Sequence, residues 1–336
     1  MRSRLGITLV ILLGILALGG AGLAAFNSRH DDAHTRVKLR LAAYEGDVGA
    51  LEWIARDQGF FDSVGLDVEL TGYTTGREAI EAMKEGRADV ATASEFVIAT
   101  NSFTRADLRI LASICRYWNK GIVGRRDHGI EKPGDLKGKR IGVTSPSSAE
   151  HSLVVFLALQ GLSTDDVTLV NLKPEQIENQ MADGTLDAAV TWEPHVGAIH
   201  NRLAANAVNL MPRSLENYLL LVAGGDGTLD SRAVSRMLRA LALAEKWSLE
   251  NPAEAKRYLA ARFALSPPYV ERIWTRMQLT LSLQQEILEA MDAEALWFAK
   301  KIGHPTIPNF ALVVDGEPLA KIKPSAVNVV QRAPER

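Results

Sequence analysis

The chain contains one cysteine, Cys115, among its 336 residues. A single cysteine cannot form an intramolecular disulfide bond, and it cannot supply a multi-cysteine zinc or iron–sulfur site. The preceding residues, Leu111–Ile114, are largely apolar, so we expect a buried structural thiol. The sequence predicts neither a metal nor a cofactor.

An excess of charge of one sign is also missing. The 38 Lys and Arg residues nearly balance the 40 Asp and Glu residues, which leaves a formal net charge of −2. This balance argues against a polybasic nucleic-acid-binding protein. The hydrophobic content of 47% and the charged content of 23% are typical of a globular protein, and the length predicts about two domains.

Familiar catalytic signatures are absent from the sequence. It holds no nucleophile elbow, no P-loop and no HExxH motif. The glycine-rich stretch 224–227 lacks the Lys-Ser/Thr pair of a phosphate loop and is interpreted as a hinge or turn. His151 falls within a predicted helix, where packing is its commoner role. Four other histidines show no metal-ligand spacing: His128, His195, His200 and His304.

The N-terminal residues form an apolar segment behind a basic start. Residues 1–4 include two arginines, and residues 5–26 carry no charge. This is the pattern of an export signal, but its length would also span a bilayer, so a cleaved signal peptide and an uncleaved membrane anchor stay open. Both place the remainder outside the cytoplasm, in the periplasm or at the cell surface. No cysteine follows the run, which excludes a lipid-modified N-terminal Cys, and no second run approaches 18 apolar residues.

The exported part contains an internal repeat of strand, loop and helix. A strand at Val37–Ala43 precedes a helix at Ala50–Gln58, and a strand at Lys139–Val143 precedes a helix at Ala149–Gln160. Each unit continues with a strand and a helix, namely Leu66–Leu70 with Arg77–Glu85, and Val167–Leu172 with Pro174–Ala182.

The repeat predicts two α/β lobes, each built on a mainly parallel sheet flanked by helices. Ligands in such sheets bind beyond the carboxyl ends of the strands, so we expect the loops there to meet in one cleft between the lobes. We assign residues 37–122 and 224–310 to the first lobe, 123–223 to the second, and 311–336 to a C-terminal tail with little regular structure. Helices are expected in the later part of the first lobe, including one over Pro268–Leu281.

The export signal, the strand–loop–helix start Leu41–Gly59 and several later segments together carry a resemblance to a known family. Thr75–Ile80 leads to Gly86–Val90, Lys132–Lys139 precedes the second repeat, and Leu186–Pro194 closes it. In this order they resemble the nitrate/sulfonate/taurine-type substrate-binding proteins of ABC importers, a family that also includes thiamine-precursor pyrimidine binders and related enzymes.

The resemblance implies a two-lobed periplasmic-binding-protein fold, type II-like, that closes on a small solute and delivers it to an inner-membrane ABC permease. The expected protein is a monomer with no catalytic residue. Two alternatives stay open: an enzyme on the same fold acting on a pyrimidine or small acid, and a membrane-tethered solute sensor.

Small polar residues at the predicted strand ends are the first candidate ligand-binding residues. Several precede helices, whose free N–H groups attract anions, although simple helix capping is the alternative. These residues are Thr74, Thr75, Gly76, Ser94, Ser145, Ser147 and Ser148.

Two aromatics and three glutamates complete the predicted site. Tyr44 and Trp192 are placed to sandwich a flat or aliphatic ligand, or to pack as core at the lobe edges. Glu45, Glu95 and Glu193 would repel a simple oxyanion, so they favour a cationic, zwitterionic or nitrogen-heterocyclic ligand, with solvated loop residues as the alternative. We expect hardly any lysine or arginine in the cleft.

Overall fold

The computed structural model describes residues 36–105, 107–211, 214–224 and 229–329. The predicted export segment lies outside the described residues. Within these ranges, no helix combines the length and apolarity needed to cross a membrane.

The first lobe is built on a six-stranded mixed sheet. Its strands are β1 (Val37–Tyr44), β2 (Leu66–Tyr73), β3 (Val90–Ser94), β4 (Arg109–Tyr117), β10 (Asn217–Ala223) and β11 (Met277–Ser282). They lie in the order β11-β4-β10-β3-β1-β2. β1 pairs in parallel with β2 and β3, whereas β10 runs antiparallel to both β3 and β4.

The second lobe is built on a five-stranded sheet. Its strands are β5 (Lys120–Arg125), β6 (Arg140–Val143), β7 (Thr168–Asn171), β8 (Ala188–Trp192) and β9 (Ala207–Asn209). The order is β7-β6-β8-β5-β9, with β6 parallel to β7 and β8. The predicted fold class is confirmed, and the sequence repeat appears as β2-β1-β3 in one lobe and β7-β6-β8 in the other.

Helices cover both sheets. The described helices are α1 (Ala50–Asp57), α2 (Phe60–Ser63), α3 (Gly76–Lys84), α4 (Glu95–Asn101), α5 (Ser148–Leu159), α6 (Pro174–Asp183), α7 (His195–Leu203), α8 (Ser231–Glu250), α9 (Pro252–Arg262), α10 (Pro267–Trp274), α11 (Gln285–Ile302) and α12 (Glu317–Ile322). Apolar residues at helical spacing bury one face of each long helix, as Leu238, Leu241 and Ala244 do in α8.

One expected helix is wrong in its second half. The predicted helix over Pro268–Leu281 is α10 followed by strand β11. Met277, Leu279 and Leu281 alternate with Gln278 and Thr280, and this period of two places the three apolar side chains in the core beside β4. The alternation of apolar and polar residues over Met277–Leu281 therefore produces a strand and not a continuation of the helix.

The chain passes between the lobes twice. It leaves the first sheet after β4 and enters the second at Lys120, and it returns between β9 and β10. β10, which the predicted lobe boundary places in the second lobe, pairs within the first sheet. The predicted tail includes α12, and Leu319 there is fully buried against the first lobe. Cys115 is buried in β4, as expected.

Candidate functional site

A cleft of about 600 Å³ lies between the lobes, beyond the carboxyl ends of β1, β3 and β8. Nine of the twelve predicted site residues line it, contributed by both lobes. They are Tyr44, Thr74, Thr75, Gly76, Ser94, Ser147, Ser148, Trp192 and Glu193. The structure therefore brings most of the predicted set to one place, whereas Glu45, Glu95 and Ser145 do not line the cleft.

In the first lobe, helix α3 begins at the cleft wall. Thr75 caps the helix: its Oγ1 accepts from the N–H of Glu78 at 3.2 Å, and its own N–H donates to the Glu78 carboxylate at 3.0 Å. Within the described residues, the N–H groups of Gly76 and Arg77 have no hydrogen-bond partner. A side chain at Gly76 would place Cβ 2.7 Å from Cα of Ala93, so the glycine permits the helix to start this close to β3.

In the second lobe, helix α5 begins on the opposite wall. Ser147 caps it by accepting from the N–H of Glu150 at 3.2 Å. The N–H groups of Ser148 and Ala149 are without a partner among the described residues. Each lobe thus presents a helix start with two unpaired amides, where the helix dipole favours a negative group.

Lys120 is a cleft residue that the sequence analysis missed. It is 5% exposed and lines the cleft at the first position of β5. Its Nζ makes no hydrogen bond or ion pair with the described residues. Burial lowers the pKa of Lys120, and the carboxyls of Glu95 and Glu294 oppose that effect. Arg77 and Lys173 also line the cleft, which corrects the expectation that it holds hardly any basic residue.

Four aromatic side chains also face the cleft. Trp192 ends β8 opposite Lys120 in the antiparallel β5–β8 register, and its ring meets the edge of His195 at 6.3 Å between centroids. Tyr44 ends β1 on the other wall. Phe96 and Tyr117 are buried lining residues of the first lobe.

The three predicted glutamates all bind protein partners. Glu45 accepts from Arg262 at 2.8 Å, and neither residue lines the cleft. Glu95 is fully buried, accepts from Asn217 and from the N–H of Tyr218 at 2.9 Å, and burial raises the pKa of its carboxyl.

Glu193 is at the cleft but joins the lobes. Its Oε2 accepts from the N–H of Gly197 at 3.0 Å and from Arg272 of α10, in the first lobe, at 3.3 Å. Both contacts are to Oε2 of Glu193, and the positive charge of Arg272 offsets part of the negative charge of this carboxylate at the cleft. Of the three glutamates only Glu193 lines the cleft, paired with Arg272, and Glu175 is a further carboxylate of the lining, so the support for a cationic ligand is weaker than expected.

Helix α11 forms a second bridge between the lobes. Lys301 donates to Glu150 at 2.5 Å and to Ser145 at 3.0 Å, so Ser145 serves the bridge instead of the cleft surface. The ring of His151 lies 5.6 Å from that of Trp297, and its Nδ1 is 4.0 Å from the Glu294 carboxylate. Burial, with a contribution from Lys120, lowers the pKa of His151 to about 4.

Comparison with known proteins identifies the family of the chain. The family model described as NMT1/THI5 like matches residues 50–255, more than half of the chain. The chain belongs to this family. The resemblance to nitrate/sulfonate/taurine-type binding proteins is therefore confirmed.

Several relatives of the family bear functional names. A putative binding protein of Brucella abortus is 26% identical over 219 residues, which cover 60% of this chain and 64% of the relative. The matched region thus spans less than two thirds of that relative. The taurine-binding periplasmic protein of Escherichia coli is 25% identical over 158 residues, 47% of this chain and 49% of that one.

Solved structures share the fold. The alkanesulfonate-binding protein SsuA of Xanthomonas axonopodis pv. citri, bound to MOPS, superposes with a TM-score of 0.67 at 21% identity, over 84% of this chain and all of that one. The desulfurization enzyme DSZB superposes with a TM-score of 0.62 at 17% identity, over 85% of this chain and 98% of the enzyme. Binding proteins and an enzyme therefore share this architecture.

Proposed function

We propose that the protein is an extracytoplasmic receptor that binds a small anionic solute of the sulfonate type and delivers it to an ABC import permease. The observation that carries the proposal is the ammonium group of Lys120. It lies in the cleft wall, almost fully buried, with no hydrogen-bond partner among the described residues. The carboxyls of Glu95 and Glu294 act on this ammonium group without a hydrogen bond, so its buried donors are unsatisfied and an anionic ligand would accept the missing hydrogen bonds.

The rest of the cleft supports an anion. Among the described residues, the starts of α3 and α5 each offer two amides without a hydrogen-bond partner, one pair from either lobe. A ligand held by both helix starts would contact both lobes at once, which favours the closed arrangement by hinge motion. The relatives include a taurine-binding protein and a putative aliphatic sulfonates-binding protein, and these names agree with a ligand that carries a sulfonate group.

Binding is favoured over turnover by the position of the only thiol. Cys115 is fully buried in the core of the first lobe, and burial raises the pKa of its thiol well above the ordinary value. A protonated, inaccessible thiol is a poor nucleophile. Two of the three serines that line the cleft act as helix caps, Ser94 for α4 and Ser147 for α5.

The test is calorimetric titration of the full-length chain with ethanesulfonate and with ethylammonium, which have the same carbon skeleton and opposite charge. We expect a dissociation constant on the order of micromolar for ethanesulfonate and weaker binding of ethylammonium. Lys120→Met should weaken ethanesulfonate binding by about tenfold to a hundredfold, the range for a charged hydrogen bond.

Lys321→Met is the matched control, because Lys321 lies on α12 with a side chain that is 71% exposed. It should bind like the wild type. Tighter binding of ethylammonium, or unchanged ethanesulfonate affinity in a folded Lys120→Met variant, would contradict the proposal.

A further inference from the structure

The cleft is large for the smallest sulfonates. At about 30 Å³ per water molecule, its volume of about 600 Å³ corresponds to roughly 20 waters. Binding sites of about 300–1,000 Å³ hold ligands of drug-like size. A solute with a two-carbon skeleton would leave most of this space to water.

This volume belongs to a cleft whose lobes already touch. Arg272 of the first lobe contacts Glu193 of the second, and Lys301 of the first contacts Ser145 and Glu150 of the second. Further closure would have to break or move these contacts. The space between them is therefore space that a bound solute can fill.

The cation and the aromatic surface lie side by side. Lys120 and Trp192 are direct partners in the antiparallel register of β5 and β8, so their side chains leave the sheet on the same face as neighbours. Tyr44, Phe96 and Tyr117 contribute aromatic surface from the first lobe. Gly46 leaves room for the Tyr44 ring, because a Cβ there would lie 2.5 Å from Cε1 of that ring.

We propose that the solute is an arylsulfonate-type anion, with its charged group at Lys120 and a flat body of one or two rings between Trp192 and the aromatics of the first lobe. This inference rests on the proposed function and specifies its substrate class. Tyr44 and Trp192 are the partly exposed aromatic side chains of the lining, and ring contacts with them give a flat apolar body an advantage that a short alkyl chain does not have. The neighbouring positions of Lys120 and Trp192 fit a charged group attached directly to a ring.

The experiment compares three probes on the full-length chain by calorimetry: naphthalene-2-sulfonate, ethanesulfonate and the neutral naphthalene-2-sulfonamide. We expect naphthalene-2-sulfonate to bind at least about tenfold more tightly than ethanesulfonate, a difference of about 1.4 kcal/mol. It should also bind more tightly than the sulfonamide. Trp192→Ala should remove most of the advantage of the aryl probe while ethanesulfonate affinity stays within about threefold.

The outcomes separate this inference from the proposed function. Equal affinity for both sulfonates in the wild type would overturn the aromatic inference and leave the anion proposal intact. Binding of the sulfonamide as tight as that of the aryl sulfonate would overturn the anion proposal, and binding of neither sulfonate would overturn both. Trp192→Phe, which keeps a ring, should retain the preference, and its loss there would count against a stacking role.

Discussion

The helix starts on the two walls of the cleft share a sequence signature and use it differently. Thr75 and Ser147 each cap a helix, and each is followed three residues later by a glutamate. Glu78 turns back to the cap in a reciprocal box. The carboxylate of Glu150 instead accepts a hydrogen bond from Lys301 of the other lobe, in place of one from the backbone of the cap residue.

The difference follows from what surrounds each helix. Glu78 is exposed, its partners among the described residues are Thr74 and Thr75 at its own helix start, and the hydrogen bond from Thr74 lowers the pKa of its carboxyl. Glu150 is 4% exposed beneath α11, where Lys301 approaches it. A short motif thus sets a local hydrogen bond on one wall and an inter-lobe contact on the other. Tertiary burial decides between the two uses.

The largest expected difference between the walls is in how the free energy of unfolding depends on pH. On the second wall Glu150 is followed by His151, whereas on the first wall Glu78 is followed by Ala79. The pKa of His151 is about 4 in the folded protein because of burial, against an ordinary value of 6.5. The unfolded chain therefore binds more protons between pH 6.5 and 4, and stability falls as the pH drops through this window. The loss from this residue should reach about 3 kcal/mol at pH 4.

Chemical unfolding of the wild type and of His151→Gln, followed from pH 7 to pH 4, tests this expectation. The neighbouring Glu294 and Lys120 are present in both proteins, so the difference between the two profiles isolates the histidine. The variant should lose less stability on acidification. Parallel profiles would show that His151 does not titrate in this way.

The next effect concerns the bridge on the second wall. Lys301→Met leaves the buried carboxylate of Glu150 without its cation, and we expect the free energy of unfolding to fall by about 2 kcal/mol. This loss is smaller than that for a fully buried pair, because the side chain of Lys301 is 35% exposed. Denaturant unfolding measures this. In the double variant with Glu150→Gln the loss should be partly restored, and additive losses would argue against a direct interaction.

The smallest effect concerns the first wall. Glu78→Gln keeps a side chain that can accept from the Thr75 N–H, so we expect a loss of about 0.5 kcal/mol or less by the same unfolding measurement. A loss as large as that of Lys301→Met would erase the contrast between a local cap and an inter-lobe bridge.

The repeat could be predicted from the sequence because its signals are local. Alternating apolar residues, capping residues and glycines at helix ends determine β1, α1, β6 and α5 over short stretches. β11 escaped prediction because its alternation follows directly on the helical pattern of α10. The strand is recognised through its pairing with β4, a contact remote in sequence.

The chemistry of the site was less accessible from sequence. The partners of Glu45 and Glu193 are arginines far along the chain, Arg262 and Arg272, and no local pattern links them. Lys120 lies near the end of the 37–122 segment of the predicted first lobe, outside the strands and helices of the predicted repeat. Its position opposite Trp192, which belongs to a recognised motif, is visible only once β5 and β8 are paired.

The position of β10 has a consequence for the order of folding. This strand lies between β3 and β4 in the middle of the first sheet, yet it follows the whole second lobe in the chain. As the chain emerges from its N-terminus, the second lobe has all of its strands before the first lobe receives its central one. We expect the first lobe to complete its sheet last, through slow contacts between residues such as Ser94 and Leu219 that are remote in sequence.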